Sequence, residues 1–411
     1  MRLPHFEIAP EGATPIQKRN FTNVVIDGAG VAIASAAAPY LPVFLARLGA
    51  TNLQVGLLTA MPAVTGLFFA ILIGRFIQTR RKVVPWFSGA RAVVLSTYAA
   101  TGILPFFLPY DQLVTATLVL WALVTLPQII VNVCFSVVMN GVAGPKGRYE
   151  LMSRRWSVIG ITAAVTIALA GQILDRIVFP LNYQIVFIGL SLGAFVSFYF
   201  SSRIELPDQE PPPLAVGQSV RERARGFIEL IRGQPAFTSF MFKRFIFFSG
   251  TALATPIFPL YFVREVHASD AWIGIINTAQ NAILLIGYLW WTRQSKQRGG
   301  RFVLLWTTFG LTLYPAFTAF TTDVQWIAIY AGIAGVFQAG LDLVFFDELL
   351  KTFPAKYSAT FVSIAQSLQH MSTIAAPLVG TMLADHIGLS GALLVSASIR
   401  LIAFGLFLRG K

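Results

Sequence analysis

Two stretches of the chain repeat each other about 217 residues apart, and this repeat limits the possible folds more than any single motif. The matched positions are Pro39, Pro42, Arg47, Gly56, Arg75 and Arg80 in the first copy, and Pro256, Pro259, Arg264, Gly274, Arg293 and Arg298 in the second. The offset is 217 for the first three matches and 218 for the last three, so one inserted residue accounts for the drift. A second pair of stretches, near Gln128 and Gln338, repeats at an offset of 210. The pattern predicts a chain built from two copies of one structural unit.

The composition indicates that both copies lie in a membrane. Of the 411 residues, 55% are hydrophobic and only 12% are charged. Apolar runs recur along the whole chain, each near the roughly 20 residues that a helix needs to cross a bilayer. Lipid cannot hydrogen-bond an open backbone, and the runs are far longer than the roughly 10-residue strands of an outer-membrane barrel. We predict an all-α polytopic membrane protein with twelve transmembrane helices in two pseudo-symmetric six-helix bundles. The spans are expected at residues 21–46, 52–77, 83–108, 112–142, 153–174, 181–201, 237–263, 271–292, 302–321, 324–349, 358–384 and 389–408.

The net charge of +13 follows membrane topology and does not indicate nucleic acid. Of the 31 Lys and Arg residues, 26 fall in tails and loops on one side of the predicted spans. Only Arg47, Arg176 and Arg264 fall on the other side, and Arg91 and Arg400 lie within spans. Because cytoplasmic loops are rich in Lys and Arg, both termini are expected in the cytoplasm, with the protein in the cytoplasmic membrane. Membrane lipid is the partner implied, with anionic headgroups as a modest extra possibility.

The chain divides into four parts. Residues 1–20 form a cytoplasmic tail, 21–201 the N-terminal six-helix bundle, 202–234 a cytoplasmic linker, and 235–411 the C-terminal six-helix bundle. The linker is proline-rich at first, and residues 219–232 then form an amphipathic pattern that favours a surface helix.

At this level of organisation the chain resembles the major facilitator superfamily. The resemblance covers the twelve spans, the long loop between the halves, and a basic loop between spans two and three that is echoed between spans eight and nine. The family signature of that loop, Gly-x-x-x-Asp-Arg-x-Gly-Arg-Arg, survives here only as Gly74 to Lys82, with Gln78 at the acidic position. The resemblance implies gating roles for the loop arginines Arg75, Arg80, Arg293 and Arg298. The antiporter and sugar-porter signatures are not present, so the subfamily stays open.

Polar side chains share faces of the predicted helices. Burying polar groups in lipid is costly, so they normally face a cavity or a partner. Gln128 and Asn132 lie four residues apart, and so do Gln338 and Asp342 at the matching repeat positions. The resemblance implies that these helices surround a central cavity, whereas the alternative is that the amides join helix to helix. The residues predicted to line a substrate cavity are Asn23, Gln128, Asn132, Asn277, Gln280, Asn281, Gln338, Gln366, Gln369, His370 and Thr373.

Two carboxylates stand out as candidates for gating or coupling. Asp27, shifted by 217 residues, falls on Arg244, which suggests an ion pair between the halves that closes an inner gate. The alternative is that Asp27 bonds local neighbours while Arg244 reaches the cytoplasmic interface. Asp342, about two turns inside span ten, is a candidate proton carrier or ligand for a cationic group, or else a residue that holds helices together.

The proline pairs, Pro39 with Pro42 and Pro256 with Pro259, predict helix bends in spans one and seven. Such bends either shape an extracellular gate or are static kinks.

The predicted function is secondary active transport of a small molecule by alternating access, with the proton as a candidate coupling ion. A cavity with amides, aromatic rings and few charges favours a neutral, amphipathic or weakly ionic substrate. The four histidines are scattered, and no nucleophile, metal or phosphate-binding motif is found, so we expect neither an enzyme nor a cofactor. A non-transporting assembly factor or receptor with the same fold is the alternative.

Overall fold

The computed structural model describes residues 13–208, 233–352 and 358–409. The proposed linker helix at residues 219–232 lies outside this range. The first part of the chain contains the helices α1 (Pro15–Ser35), α2 (Tyr40–Arg47), α3 (Asn52–Gln78), α4 (Val84–Ile103), α5 (Tyr110–Arg176), α6 (Leu181–Leu190) and α7 (Leu192–Ser202). The second part contains α8 (Pro235–Ala254), α9 (Ile257–Arg264), α10 (Asp270–Ala282), α11 (Leu284–Arg298), α12 (Gly300–Thr318), α13 (Val324–Lys351) and α14 (Ser358–Arg409).

Every predicted span coincides with helix, although the helices and spans do not correspond one to one. Spans one, six, seven and eight are each divided into two helices, whereas α14 contains both span eleven and span twelve. Gly388 separates those two spans, since its φ of 78° interrupts the helical geometry. Within the described residues, nine helical segments are long and apolar enough to cross a membrane, and the last of them runs through this break. The all-α fold class is confirmed.

One predicted connection is different in the structure. A loop was expected between spans four and five, at residues 143–152, but the backbone of α5 is helical from Tyr110 to Arg176. The stretch from Arg148 to Met152 consists mainly of residues with good helix propensity, which is a physical reason for the helix to continue. The two apolar parts of α5 are still separate, at Tyr110–Ala143 and Leu151–Arg176.

The sequence repeat is visible in the backbone at the prolines. Helix α1 ends at Ser35 and the chain becomes helical again at Tyr40, directly after Pro39. In the second copy α8 ends at Ala254 and α9 begins at Ile257, directly after Pro256. A proline removes one backbone hydrogen bond and clashes with the preceding turn, which explains why both helices break here.

The repeat continues beyond these breaks. Helix α2 ends at Arg47, and two residues later Gly49 has a positive φ of 84°. Helix α9 ends at Arg264, and three residues later His267 has a positive φ of 51°. A residue in this left-handed region commonly ends a helix. The next helices then begin at the equivalent positions Asn52 and Asp270.

The contacts between residues divide the chain into two compact units. Unit 1 contains Met1–Phe44 and Phe68–Pro212, and unit 2 contains Leu45–Leu67 and Pro213–Lys411. The first part of predicted span two therefore belongs with the C-terminal helices in this division. A contact at Gly56 shows why: a β-carbon there would lie 2.9 Å from the side chain of Thr381 in α14.

Unit 1 is held together partly by close contact between α1 and α7. A β-carbon added at Gly30 would lie 2.6 Å from the backbone nitrogen of Ser197, and one at Gly193 would lie 2.5 Å from the carbonyl oxygen of Gly30. Small residues of this kind let helix backbones approach closely in membranes, where packing replaces the hydrophobic effect as the main attraction between helices. Unit 2 has a comparable contact, since a β-carbon at Gly380 would lie 2.6 Å from the carbonyl oxygen of Leu253.

Candidate functional site

The first polar cluster lies inside unit 1, around Asp27. Asp27 is fully buried, and its carboxylate is bound by Arg91 at 2.5 Å and by Arg155 at 3.6 Å. Ser197 donates its hydroxyl proton to the same carboxylate at 2.6 Å. The Arg91 guanidinium also lies over the ring of Phe87, with 3.9 Å between its central carbon and the ring centroid. One carboxylate thus joins two buried guanidinium groups from different helices.

Asp27 and Arg244 each have contacts within their own unit. The Asp27 carboxylate bonds local neighbours in unit 1. Arg244 donates a long hydrogen bond to the side-chain oxygen of Gln369 at 3.4 Å, and its guanidinium lies over the ring of Phe248. The Asp27–Arg244 gate stays a prediction, and the structure adds Arg91 and Arg155 as partners of the same carboxylate from other helices of unit 1.

The second cluster lies in unit 2, around Asp342. Gln338 donates to the Asp342 carboxylate at 2.7 Å from the preceding turn of α13, as their four-residue spacing predicts. Tyr288 of α11 donates its phenol to the other carboxylate oxygen at 3.0 Å. No cation forms an ion pair with Asp342 among the described residues, and the side chain is exposed. Asp342 is therefore a carboxylate held by two neutral donors.

The third feature, also in unit 2, is a small recess beside Arg244. The recess is shallow and open to the outside, and it encloses no space for a water-sized molecule. Two of the three guanidinium nitrogens of Arg244, Nε and Nη1, are buried and have no hydrogen-bond partner among the residues that the structure describes. The recess is lined by Met241, Arg244, Phe245, Phe248, Ala365, Leu368 and Gln369. Arg244 and Gln369 are thus the polar members of a mainly apolar lining.

The fourth feature is a reciprocal pair of arginine contacts in unit 2, which we call the arginine clasp: Arg47 with Ala268 and Asp270, and Arg264 with Ala50 and Asn52. Arg47 donates to the Asp270 carboxylate at 2.8 and 3.1 Å and to the carbonyl oxygen of Ala268 at 3.2 Å. Arg264 donates to the carbonyl oxygen of Ala50 and to the amide oxygen of Asn52. Ala50 and Asn52 are equivalent to Ala268 and Asp270 by the 218-residue offset, so each copy of the repeat binds the same two positions of the other.

Further polar contacts support the clasp. Asn52 donates its amide to the Asp385 carboxylate at 2.7 Å, which places a negative charge behind the neutral partner of Arg264. Ser390 donates to the carboxylate of Glu265, the residue that follows Arg264, at 2.7 Å. Both contacts reach α14, so this helix supports the clasp from one side.

The other residues predicted to line a cavity have local contacts. Gln128 donates to Asn132 at 3.0 Å, and both lie on one face of α5. Asn277 and Asn281 donate to carbonyl oxygens one turn back in the same helical segment, both at 2.8 Å. Asn23 is 6% exposed and donates its side-chain amide to the carbonyl oxygen of Arg203 at 3.2 Å.

Four residues on α14 and α10 complete that set. Thr373 donates to the carbonyl oxygen of Gln369 at 2.9 Å, one turn back in the helix. Gln366 and His370 are exposed, whereas Gln280 is half-buried and its carbonyl oxygen closely approaches Gly335 of α13.

The loop arginines are found at the ends of α3 and α11. Arg80 lies 4.1 Å from the ring centroid of Phe76, and the equivalent Arg298 lies 4.8 Å from that of Phe302. Arg293 is exposed, and the side chain of Arg75 lies outside the described part of the chain. Stacking on aromatic rings fixes these cations at the helix ends.

Sequence reasoning missed several residues that take part in these clusters. Arg155 was counted with the loop cations, yet its side chain is 3% exposed and faces Asp27. Tyr288 had a usable signal, because it follows Asn281 by seven residues and therefore shares its helix face. Arg47 and Arg264 were recognised as repeat positions, but their partners at the equivalent positions 268/270 and 50/52 were not.

Known proteins match the chain in two ways, by sequence over part of its length and by fold over nearly all of it. Residues 240–411 match the family model described as Major Facilitator Superfamily. The multidrug resistance protein MdtG of Proteus mirabilis (strain HI4320) is 23% identical over 168 residues, which are 40% of this chain and 41% of that protein. The chain thus matches less than half the length of this relative.

Solved structures match over nearly the whole length. The nucleoside transporter NupG superposes with a TM-score of 0.68 at 12% identity, covering 97% of this chain and 100% of that one. A D-xylose-proton symporter superposes with a TM-score of 0.69 at 11% identity, covering 96% and 97%. The chain has the fold of these transporter structures, and its residues 240–411 match the Major Facilitator Superfamily pattern, which is the family that the sequence resembles. It is an integral membrane protein, and its subfamily stays open.

Proposed function

We propose that the protein is a secondary active transporter that moves a small molecule across the cytoplasmic membrane by alternating access, with both termini in the cytoplasm. The observation that carries the proposal is the fold, which matches transporters from end to end, together with a repeat that is visible in sequence and backbone. No enzymatic activity is part of the proposal. The orientation rests on the distribution of Lys and Arg.

The arginine clasp is proposed as the gate on the side away from the cytoplasm. Arg47 and Arg264 are two of the three basic residues expected there. Each binds a backbone carbonyl and a side chain at the start of a helix, so the contacts can form and break without unfolding a helix. When both pairs of arginine contacts are formed, the gate on this side is closed, and when they break, the gate opens.

Asp342 is proposed as the residue that couples transport to protons. A carboxylate held by Gln338 and Tyr288, without an ion pair in the described part of the chain, can exchange a proton without breaking a salt bridge. The neutral donors leave room for either protonation state, because each can rotate to accept or donate. Gln128 and Asn132 of α5, and Gln366 and His370 of α14, are proposed to contact the substrate.

The proposal is tested with purified full-length protein in liposomes. Uptake of a panel of labelled neutral, cationic and anionic small solutes is measured with and without an imposed pH gradient, and repeated for Asp342→Asn. We expect uptake of at least one solute to rise with the gradient in the parent protein and to become independent of it in the variant. Uptake that ignores the gradient in both proteins removes proton coupling, and saturable binding without uptake favours the receptor alternative.

A further inference from the structure

The two halves of the arginine clasp differ in how each arginine meets a negative charge. Arg47 donates directly to the carboxylate of Asp270, whereas the equivalent position in the first copy is Asn52, which is neutral. Arg264 binds the amide oxygen of Asn52 and forms no ion pair with a carboxylate in the described part of the chain. Because a guanidinium binds a carboxylate more strongly than it binds an amide, the second half lacks a charge where the first half has one.

A carboxylate is nevertheless present one side chain further away, on Asp385 of α14. The side-chain nitrogen of Asn52 donates to this carboxylate at 2.7 Å, while its side-chain oxygen accepts from Arg264. An arginine can only donate and an ionised carboxylate can only accept, so a single orientation of the Asn52 amide satisfies both partners. The positive end of the amide dipole then faces the anion and its negative end faces the cation. Asn52 therefore links the two charges.

The position of Asp385 is set by the packing of α14 on α3. Asn52 is 8% exposed, so its contact with Asp385 begins from a buried side chain. Thr381, one turn before Asp385, lies beside Gly56, one turn after Asn52, where a β-carbon would be 2.9 Å from the Thr381 side chain. The two contacts are therefore successive steps of one antiparallel register. A contact that continues the packing of two helices is part of the fold of unit 2.

The other carboxylate close to Arg264 in sequence is that of Glu265, the next residue. Consecutive residues at the end of a helix do not face each other. The Glu265 carboxylate accepts a hydrogen bond from Ser390 at 2.7 Å, and no ion pair joins it to Arg264 within the ranges that the structure describes. Asp385 is therefore the carboxylate that is connected to Arg264.

Asp385 does not owe its place to the stability of its own helix. Gly388, three residues later, interrupts the helical geometry of α14, so Asp385 lies in the last turn before this break. A negative charge in the last turn of a helix opposes the helix dipole, and a cation is favoured there. The contact that offsets this cost is the hydrogen bond from Asn52, with the charge of Arg264 behind it.

We propose that Asp385 is a positioning residue of the gate, and that it acts on Arg264 through the side-chain amide of Asn52. It supplies to Arg264 the negative charge that Asp270 supplies to Arg47. Each arginine of the clasp then has one carboxylate, bound directly in one half and through an amide in the other. This inference rests on the gate role proposed above for the clasp and adds α14 to the helices that must separate when the gate opens.

The test follows the gate by the labelling rate of an Ala60→Cys reporter in the full-length protein with Cys134→Ala, in liposomes. Ala60 is 2% exposed and lies one turn beyond Gly56, so a membrane-impermeant maleimide reaches it when α3 and α14 separate. The salt concentration is about 10 mM, at which charges are weakly screened. We expect Asp385→Asn to accelerate labelling about fivefold, since the change keeps a hydrogen-bond acceptor and removes an exposed charge.

An exchange variant shows whether the position of the charge matters. Asn52→Asp combined with Asp385→Asn places the carboxylate directly against Arg264 and should return the labelling rate to within about twofold of the parent. A purely structural role of Asp385 would not be restored by moving its charge. Asp323→Asn is the matched control, because Asp323 is an exposed helix cap outside the clasp and is expected on the same side of the membrane. Asparagine caps a helix as well as aspartate does, so this variant should label as the parent does.

Equal labelling rates in Asp385→Asn and Asp323→Asn would overturn the inference, and so would an exchange variant that labels as fast as Asp385→Asn alone. If Asp385→Asn gives no folded protein by size exclusion, Asn52→Leu is the second variant. It removes the amide and keeps both charges, so it should accelerate labelling, and an unchanged rate would overturn the inference. If Arg47→Gln accelerates labelling and Asp385→Asn does not, the role of Asp385 alone is refuted. If neither variant accelerates labelling, the proposed gate is refuted as well.

Discussion

Replacing Arg47 by Gln is expected to open the arginine clasp by weakening its charged half. The change removes two hydrogen bonds to the Asp270 carboxylate and one to the carbonyl oxygen of Ala268. The Arg47 side chain is 28% exposed and that of Asp270 is 6% exposed, so solvent screens the pair only in part. Exposed pairs are worth up to about 1 kcal/mol and breaking a buried pair costs about 3–5 kcal/mol. We expect an intermediate loss of about 2 kcal/mol, which is roughly a 30-fold change in the population of the open form.

The opening can be followed with a cysteine reporter at Ala60. Ala60 is 2% exposed and lies one turn beyond Gly56, whose face of α3 packs against Thr381. In a Cys134→Ala background, which removes the one native cysteine, an Ala60→Cys reporter is labelled with a membrane-impermeant maleimide. Labelling is limited by the open population, so Arg47→Gln should accelerate it by about 30-fold.

The controls separate the clasp from a general loss of stability. Arg301→Gln also removes an arginine that bonds a backbone carbonyl, that of Leu408, and it should leave the labelling rate unchanged. Combining Arg47→Asp with Asp270→Arg restores the opposite charges and should slow labelling again. A labelling rate within twofold of the parent for Arg47→Gln, or an equal increase in Arg301→Gln, would refute the reasoning.

The remaining predictions concern unit 1. Asp27→Asn should destabilise the protein by about 3–5 kcal/mol, because it leaves two buried guanidinium groups without their anion, whereas Ser197→Ala should cost about 1–2 kcal/mol. Thermal unfolding of both variants in detergent checks this, and a similar small shift for the two would contradict it. Gly30→Ala should abolish folded yield, since its β-carbon would meet the backbone of α7, while Gly160→Ala, which faces open space, should behave as the parent. Size-exclusion profiles of the expressed variants decide between these outcomes.

The sequence predicted the helices and the repeat because both depend on local or periodic signals. Each apolar run of sufficient length became helix, and the matched prolines broke helices at equivalent positions, before Tyr40 and before Ile257. The i, i+4 spacing of Gln338 and Asp342 also predicted a contact that the structure contains. These features follow from hydropathy, helix period and proline geometry.

The partners of the charged residues were not predictable in the same way. Arg91 and Asp27 are 64 residues apart, and only the packing of α1 against α4 and α5 brings them together. The repeat offset suggested Arg244 as the partner of Asp27. An offset shows only that two positions are equivalent in the two copies, and it does not show which side chains are in contact. At the clasp the same offset was informative, since reciprocal contacts require equivalent partners. Only the coordinates show which of the equivalent residues are in contact.

Counterflow is the measurement that tests transport most directly. Liposomes that contain the full-length protein are preloaded with an unlabelled solute of the panel and then diluted into a trace of the same solute in labelled form, with no ion gradient. An alternating-access carrier exchanges the two pools, so the account predicts that label accumulates transiently above its equilibrium level for at least one solute. Label that never exceeds the amount bound by the protein, for every solute that binds, would contradict the account.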